Sequence, residues 1–205
     1  MPRDKTESHK RVKAAIKQEF LEKGFEKASI RSIGAKAGMT SAGLYRHFAN
    51  KEEMFASIVE PLIDDMNKWM ERHKSRKIKM VDDEKEKEEL FSESFVDMIR
   101  EVIVPKKEEF IILMKCSRGT KYENFIHDFV IVNQGAFLDA LNTLRELGYP
   151  VMDIDEEKIH MLISAHVTAC FEPIIHNYDN EKIEEYMNLI QEFFMPGWMK
   201  IMGMN

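Results

Sequence analysis

The chain is poor in the residues that build disulfide frameworks and tight turns: 205 residues contain 2 Cys, 6 Pro and 9 Gly. Cys116 and Cys170 stand far apart with no CxxC pair between them, so neither a disulfide scaffold nor a zinc finger is expected, and the thiols are taken as free and buried. So few glycines and prolines leave few places for tight turns and favour a helical globular protein over a disordered or fibrous one. Long apolar runs are absent too. No stretch approaches the roughly 18 uncharged apolar residues of a membrane span, and the opening Met1-Pro2-Arg3-Asp4-Lys5 has no signal-like apolar segment. We therefore expect a soluble, cytoplasmic protein with no membrane partner.

Common enzyme signatures are also missing. There is no GxSxG elbow, no phosphate-cradling glycine loop and no HExxH pair. A catalytic role, a cofactor and a metal are accordingly not expected, and a helical enzyme without DNA binding is the remote alternative.

Apolar residues are plentiful: 44% of the chain is hydrophobic, with 13 Phe and 15 Met. Their spacing is helical nearly everywhere, and the fold class expected is all-α: an N-terminal three-helix head, residues 1–50, and a C-terminal helical bundle, residues 51–205. Val12, Ala15, Ile16, Phe20 and Leu21 form the stripe of a first helix that Gly24 should close, with Phe25 covering its end. Asn50 and Glu53 resemble a capping box, opening a helix whose stripe runs from Phe55 through Trp69 and Met70 to about residue 73. The charged segment Lys74 to Lys87 reads as a solvated link.

The pattern resumes at Leu90 and Phe91 and should stop at Pro105, because proline cannot continue the backbone ladder. A short helix to Cys116 follows. Residues 122–147 are apolar nearly all round, as in a central, largely buried helix. Helices over about 155–177 and 180–202 finish the chain, and Pro173 and Pro196 should kink or interrupt them. This terminal hairpin has apolar surface enough to pair with its copy as a four-helix dimer interface.

The net charge of −6 hides a split, since residues 1–51 carry 12 Lys or Arg against 5 Asp or Glu and are net positive. A basic head on an acidic body is the distribution expected when only the head meets phosphate.

Within that head, residues 29–48 read as two short helices around a tight turn. Ser29 can cap the first; Ile33 and Ala37 face inward; Gly34 permits close approach; Gly38 supplies a positive φ; Met39 fills the corner. Thr40 or Ser41 caps the second helix, which Leu44 and Phe48 anchor. Ser41, Ala42, Gly43, Tyr45, Arg46 and His47 are left outside, where small residues permit close approach and polar ones can reach phosphates or base edges.

The stretch from Ile33-Gly34-Ala35-Lys36-Ala37-Gly38-Met39-Thr40 through Leu44-Tyr45-Arg46-His47-Phe48 to Lys51-Glu52-Glu53-Met54-Phe55 resembles the DNA-binding domain of TetR-family transcriptional regulators. The likeness covers residues 8–55, about a quarter of the chain; beyond it only length and helical character agree. It implies a homodimer, joined through the two C-terminal helices, on a pseudo-palindromic double-stranded operator. It also implies a repressor whose C-terminal domain takes a small-molecule effector that alters the separation of the two DNA-reading heads. Carried over by position, Arg31 and Ser32 would touch phosphate, Thr40, Ser41, Gly43, Tyr45, Arg46 and His47 would meet DNA, and Lys51 would reach the backbone.

In the body, Phe91, Phe95, Met98, Phe110, Met114, Phe129 and Phe137 are candidates to line an adaptable apolar pocket, with Asn133 and His166 orienting a ligand. Simple core packing is the competing reading of each. His166 and Cys170 lie one helical turn apart, which leaves a metal- or thiol-responsive regulator as the alternative to one sensing an apolar molecule.

Overall fold

The structure is a computed structural model that describes the backbone of residues 5–80 and 95–204 and the side chains of residues 7–72 and 95–204. All regular structure among the described residues is helical, as expected. The order is α1 (Lys5–Lys27), α2 (Ile30–Ala37), α3 (Ser41–Leu44), α4 (Lys51–Met80), α5 (Phe95–Met98), α6 (Lys107–Cys116), α7 (Phe125–Glu146), α8 (Glu156–Ile175) and α9 (Asn180–Met202). Two compact units divide these elements, one holding α1 to α4 with α6, the other α5 with α7 to α9. The expected division at residue 50 is one of function; the compact units group the helices differently.

In the first unit α1 packs against α2, α4 and α6. The apolar stripes meet there: Ile16, Phe20, Ile33, Leu44, Met54, Phe55, Leu62 and Phe110 are fully buried. Each such side chain contributes about 1.5–3 kcal/mol relative to leaving it in water. Gly24 does interrupt α1, with φ 69° and ψ 169°, but one further turn follows to Lys27. Phe25 packs over the break as expected, edge-on to Phe55 with ring centres 5.6 Å apart.

Two expected boundaries are corrected, and one expected interruption is absent. α4 continues to Met80, because the charged residues after 73 are good helix formers and nothing among them breaks the ladder. The α-helical pattern at Phe95 stops at Met98, well before Pro105, and passes into a π turn at Ile99–Ile103 and a 3-10 turn at Val104–Lys106. Leu90 and Phe91 lie outside the described residues. Pro173 and Pro196 sit inside α8 and α9 without ending them, each removing a single backbone rung.

In the second unit α8 packs against both α7 and α9. Asp155 and Asp179 cap α8 and α9, their carboxylates accepting from the N–H of Lys158 and Lys182. α7 is not buried on all sides: Phe129, Val130, Leu141 and Leu144 face inward, whereas Ile131 and Val132 are exposed.

Candidate nucleic-acid interface

The junction of α1 and α2 rests on Glu19, one of two polar residues among the described core. Its carboxylate accepts from the Ser32 hydroxyl at 2.6 Å and the Ser29 N–H at 3.2 Å. Ammonium groups of Lys23 at 2.9 Å and Lys36 at 3.0 Å complete its shell. Burial alone would raise its pKa, but the hydrogen bonds from Ser32, Lys23, Lys36 and the Ser29 backbone outweigh it and hold the group at about 2. Sequence reasoning missed Glu19. The available signal was a carboxylate within the Ile16-to-Phe20 stripe, where an acid survives only if fully partnered.

The turn follows from its residues. Ser29 Oγ accepts from the Ser32 N–H at 3.1 Å and caps α2. Gly38, at φ 66° and ψ 35°, closes α2 in the left-handed conformation and bonds back to Gly34 and Ala35 carbonyls. A Cβ on Gly34 would lie 2.8 Å from the Met39 carbonyl oxygen, so only glycine lets the corner close this tightly. Of the two candidate caps for α3, Thr40 is the one used, its hydroxyl accepting from the Gly43 N–H at 3.1 Å.

α3 itself is a single turn, extended by hydrogen-bonded turns through Phe48: Tyr45 N–H to Ser41 O at 3.0 Å, His47 to Leu44 at 2.9 Å and Phe48 to Leu44 at 3.1 Å. Leu44 and Phe48 are buried beneath it. Arg31, Thr40, Arg46 and His47 are exposed, Ser41 and Gly43 partly so, and Tyr45 keeps 53% of its surface accessible. A tyrosine held that open on a helix with a filled inner face has no packing role to account for it.

Besides Thr40, whose hydroxyl caps α3, two further residues of the expected set are already engaged. The Ser32 hydroxyl donates to Glu19. The Lys51 ammonium donates to the carbonyls of Phe25 at 2.7 Å, Glu26 at 3.2 Å and Ala28 at 3.2 Å, and lies 4.5 Å from the centre of the Phe25 ring. It therefore closes the C-terminal end of α1, a task its place in the sequence did not suggest. Asn50 caps α4 through the Glu53 N–H at 2.8 Å, and Glu53 returns a bond to the Ala49 N–H.

The body candidates fall into both compact units. Phe110, buried, and Met114, half-buried, belong to α6 in the first. Phe95, Met98, Phe129, Asn133, Phe137 and His166 belong to the second, and Phe91 lies outside the described residues. Phe95 and Phe129 have ring centres 5.6 Å apart, and Phe95 meets His166 at 5.9 Å. Phe171, Phe194 and Trp198, not foreseen, complete the cluster: Phe194 stacks on His166 at 4.5 Å and the Trp198 indole donates to its Nδ1 at 3.1 Å. Their signal was the spacing of Phe194 and Trp198 along α9, one turn apart, like His166 and Cys170 along α8. Asn133 turns its amide to the Phe129 carbonyl of its own helix, at 2.8 Å. Among the described residues no three His, Cys, Asp or Glu side chains are grouped to hold a metal, and no helix is long and apolar enough to cross a membrane.

A short helix clamped over a glycine turn, filled beneath and polar outside, defines a helix-turn-helix head. Residues 13–58 match the bacterial regulatory proteins, tetR family. An uncharacterized HTH-type transcriptional regulator of Bacillus subtilis (strain 168), YdgC, is 40% identical over 53 residues, which cover 26% of this chain and 27% of the relative. Over this head the chain is similar to the tetR family of bacterial regulatory proteins, and it spans 27% of the length of the curated relative it matches.

Proposed function

We propose that the protein is a dimeric transcriptional repressor that grips a pseudo-palindromic operator through two copies of α3 and releases it when a small, largely apolar molecule occupies the C-terminal unit. The observation that carries the DNA-binding part is the open surface of Arg31, Thr40, Ser41, Gly43, Tyr45, Arg46 and His47 around a helix whose inner face is filled by Leu44 and Phe48. Arg31 and Arg46 supply charge for phosphate, and the small Gly43 admits the duplex closely. In this reading Lys51 orients the head from beneath, and Ser32 braces α2 through Glu19.

The dimer is supported by apolar side chains left on α8 and α9: Met161 is 66% exposed, Leu189 60% and Phe193 76%. An apolar effector is supported by the aromatic cluster around His166. A thiol-responsive mechanism is disfavoured, since burial pushes the Cys170 thiol up to about 12 and also raises Cys116, whereas reactive cysteines have lowered values.

Selection of bound duplexes from a random-sequence DNA pool tests the proposal. The expected result is enrichment of a two-fold symmetric site, which Arg46→Ala loses. If no duplex is enriched, the DNA-binding assignment fails. A reporter gene placed behind the enriched site should be silenced by the protein; activation would overturn the repressor role alone.

A further inference from the structure

We propose that His166 is the polar anchor of the C-terminal ligand site, donating its Nε2–H to the single hydrogen-bond acceptor of a neutral, otherwise apolar molecule. The inference deepens the effector reading above and rests on it.

The Trp198 indole N–H can only donate, so the 3.1 Å bond to His166 Nδ1 makes that nitrogen an acceptor. In the neutral ring the proton therefore resides on Nε2. That atom is buried and, among the described residues, meets no hydrogen-bond partner; it is the one buried side-chain nitrogen or oxygen left in this condition. A buried donor left without an acceptor is costly, so a fold retains one where something else supplies the acceptor.

Among the described residues no acceptor of side chain or backbone reaches it. Phe95, Phe194 and Trp198, against the ring, are each only half-buried, so the cluster is not closed over the imidazole.

The same surroundings define the ligand class. Burial lowers the His166 pKa to about 4, so the ring is uncharged at neutral pH and offers a carboxylate no counter-charge. Aromatic walls disfavour an anion further. A ketone, ester or amide oxygen on an apolar frame satisfies the donor without that cost.

Acetophenone, ethylbenzene and benzoate serve as probes: one frame with a neutral acceptor, with none, and with a charge. Binding to the full-length protein is followed by NMR of the imidazole 15N resonances. Acetophenone should bind about tenfold more tightly than ethylbenzene, with benzoate weakest, and only acetophenone should shift the Nε2 resonance. His166→Phe should bring acetophenone down to the affinity of ethylbenzene and leave ethylbenzene unchanged. If that variant does not fold, the wild-type Nε2 shift decides between the probes.

Equal binding of ketone and hydrocarbon, or a ketone preference that survives in His166→Phe, would overturn the anchor while leaving an apolar effector intact. A free protein whose Nε2–H already exchanges a cross-peak with bound water would overturn it as well. Failure of all three probes to bind at their solubility limits would overturn the anchor; the effector reading would then be judged by release of operator DNA with larger apolar molecules.

Discussion

Glu19 joins α1 to the helix-turn-helix, and its charge makes that joint sensitive to acid. Its folded pKa of about 2 lies below the ordinary 4.5. Its contribution is therefore complete above about pH 4.5 and drains away as pH falls towards about 2. Glu19→Gln should lower the urea midpoint at neutral pH, and the gap to wild type should narrow between about pH 6 and about pH 3. A constant gap would count against the charged network; the titration of His166, common to both proteins, cancels in the difference. Lys51 and Arg46 form a contrasting pair. Lys51→Ala should reduce thermal stability, because three carbonyls at the end of α1 lose their donor, yet leave the salt dependence of operator binding unchanged. Arg46→Ala should leave stability alone and reduce the slope of log affinity against log salt by about 1, the signature of one phosphate contact. Measuring thermal midpoints and salt titrations on both variants checks the assignment, and a reduced slope for Lys51→Ala would return that residue to the interface.

At the scale of elements, the tightest constraint is the corner between α2 and α3. Gly34→Ala would drive a methyl to 2.8 Å from the Met39 carbonyl, a backbone atom that cannot swing aside. The substitution should cost about 1–3 kcal/mol in denaturant unfolding, as overpacking does, and weaken DNA binding by displacing α3. An unchanged unfolding midpoint would mean the corner is looser than its geometry. This part of the molecule was legible in the sequence because each role belongs to one residue type: Ser29 and Thr40 as caps, Gly34 for approach, Gly38 for positive φ, Leu44 and Phe48 for anchorage. What escaped were long-range relations. Lys51 was expected at the DNA backbone because the carbonyls it serves lie more than twenty residues away in the chain, and Glu19 was passed over because most of its partners lie ten or more residues further on. Local spacing likewise could not reveal that α4 runs on to Met80, nor that Ile131 and Val132 stay exposed, since periodicity marks which faces are apolar and not which of them the fold covers.

Across the whole chain, charge and apolar surface are unevenly distributed: residues 1–51 are net positive, whereas α8 and α9 leave large apolar side chains exposed, the surface on which the proposed dimer would form. Phe193 is the most exposed large apolar side chain among the described residues, at 76%, with Leu189 at 60% one turn away. Removing it takes nothing from the core of a single chain. Phe193→Asp places a charge where two copies would meet, and a desolvated, unpaired carboxylate at a dimer centre is more costly than the lost apolar contact. Light scattering should give a dimer mass for the wild type and a monomer mass for the variant at the same micromolar concentration. The helical signal in circular dichroism should persist. Operator binding should weaken, because the two half-sites are no longer held by one particle, and the salt slope should fall to about half as each bound particle neutralises half the phosphates. A variant that keeps the dimer mass would place the interface elsewhere. A wild type that is monomeric would leave the exposed phenylalanine without a partner in its own kind and remove the two-fold symmetry expected of the operator.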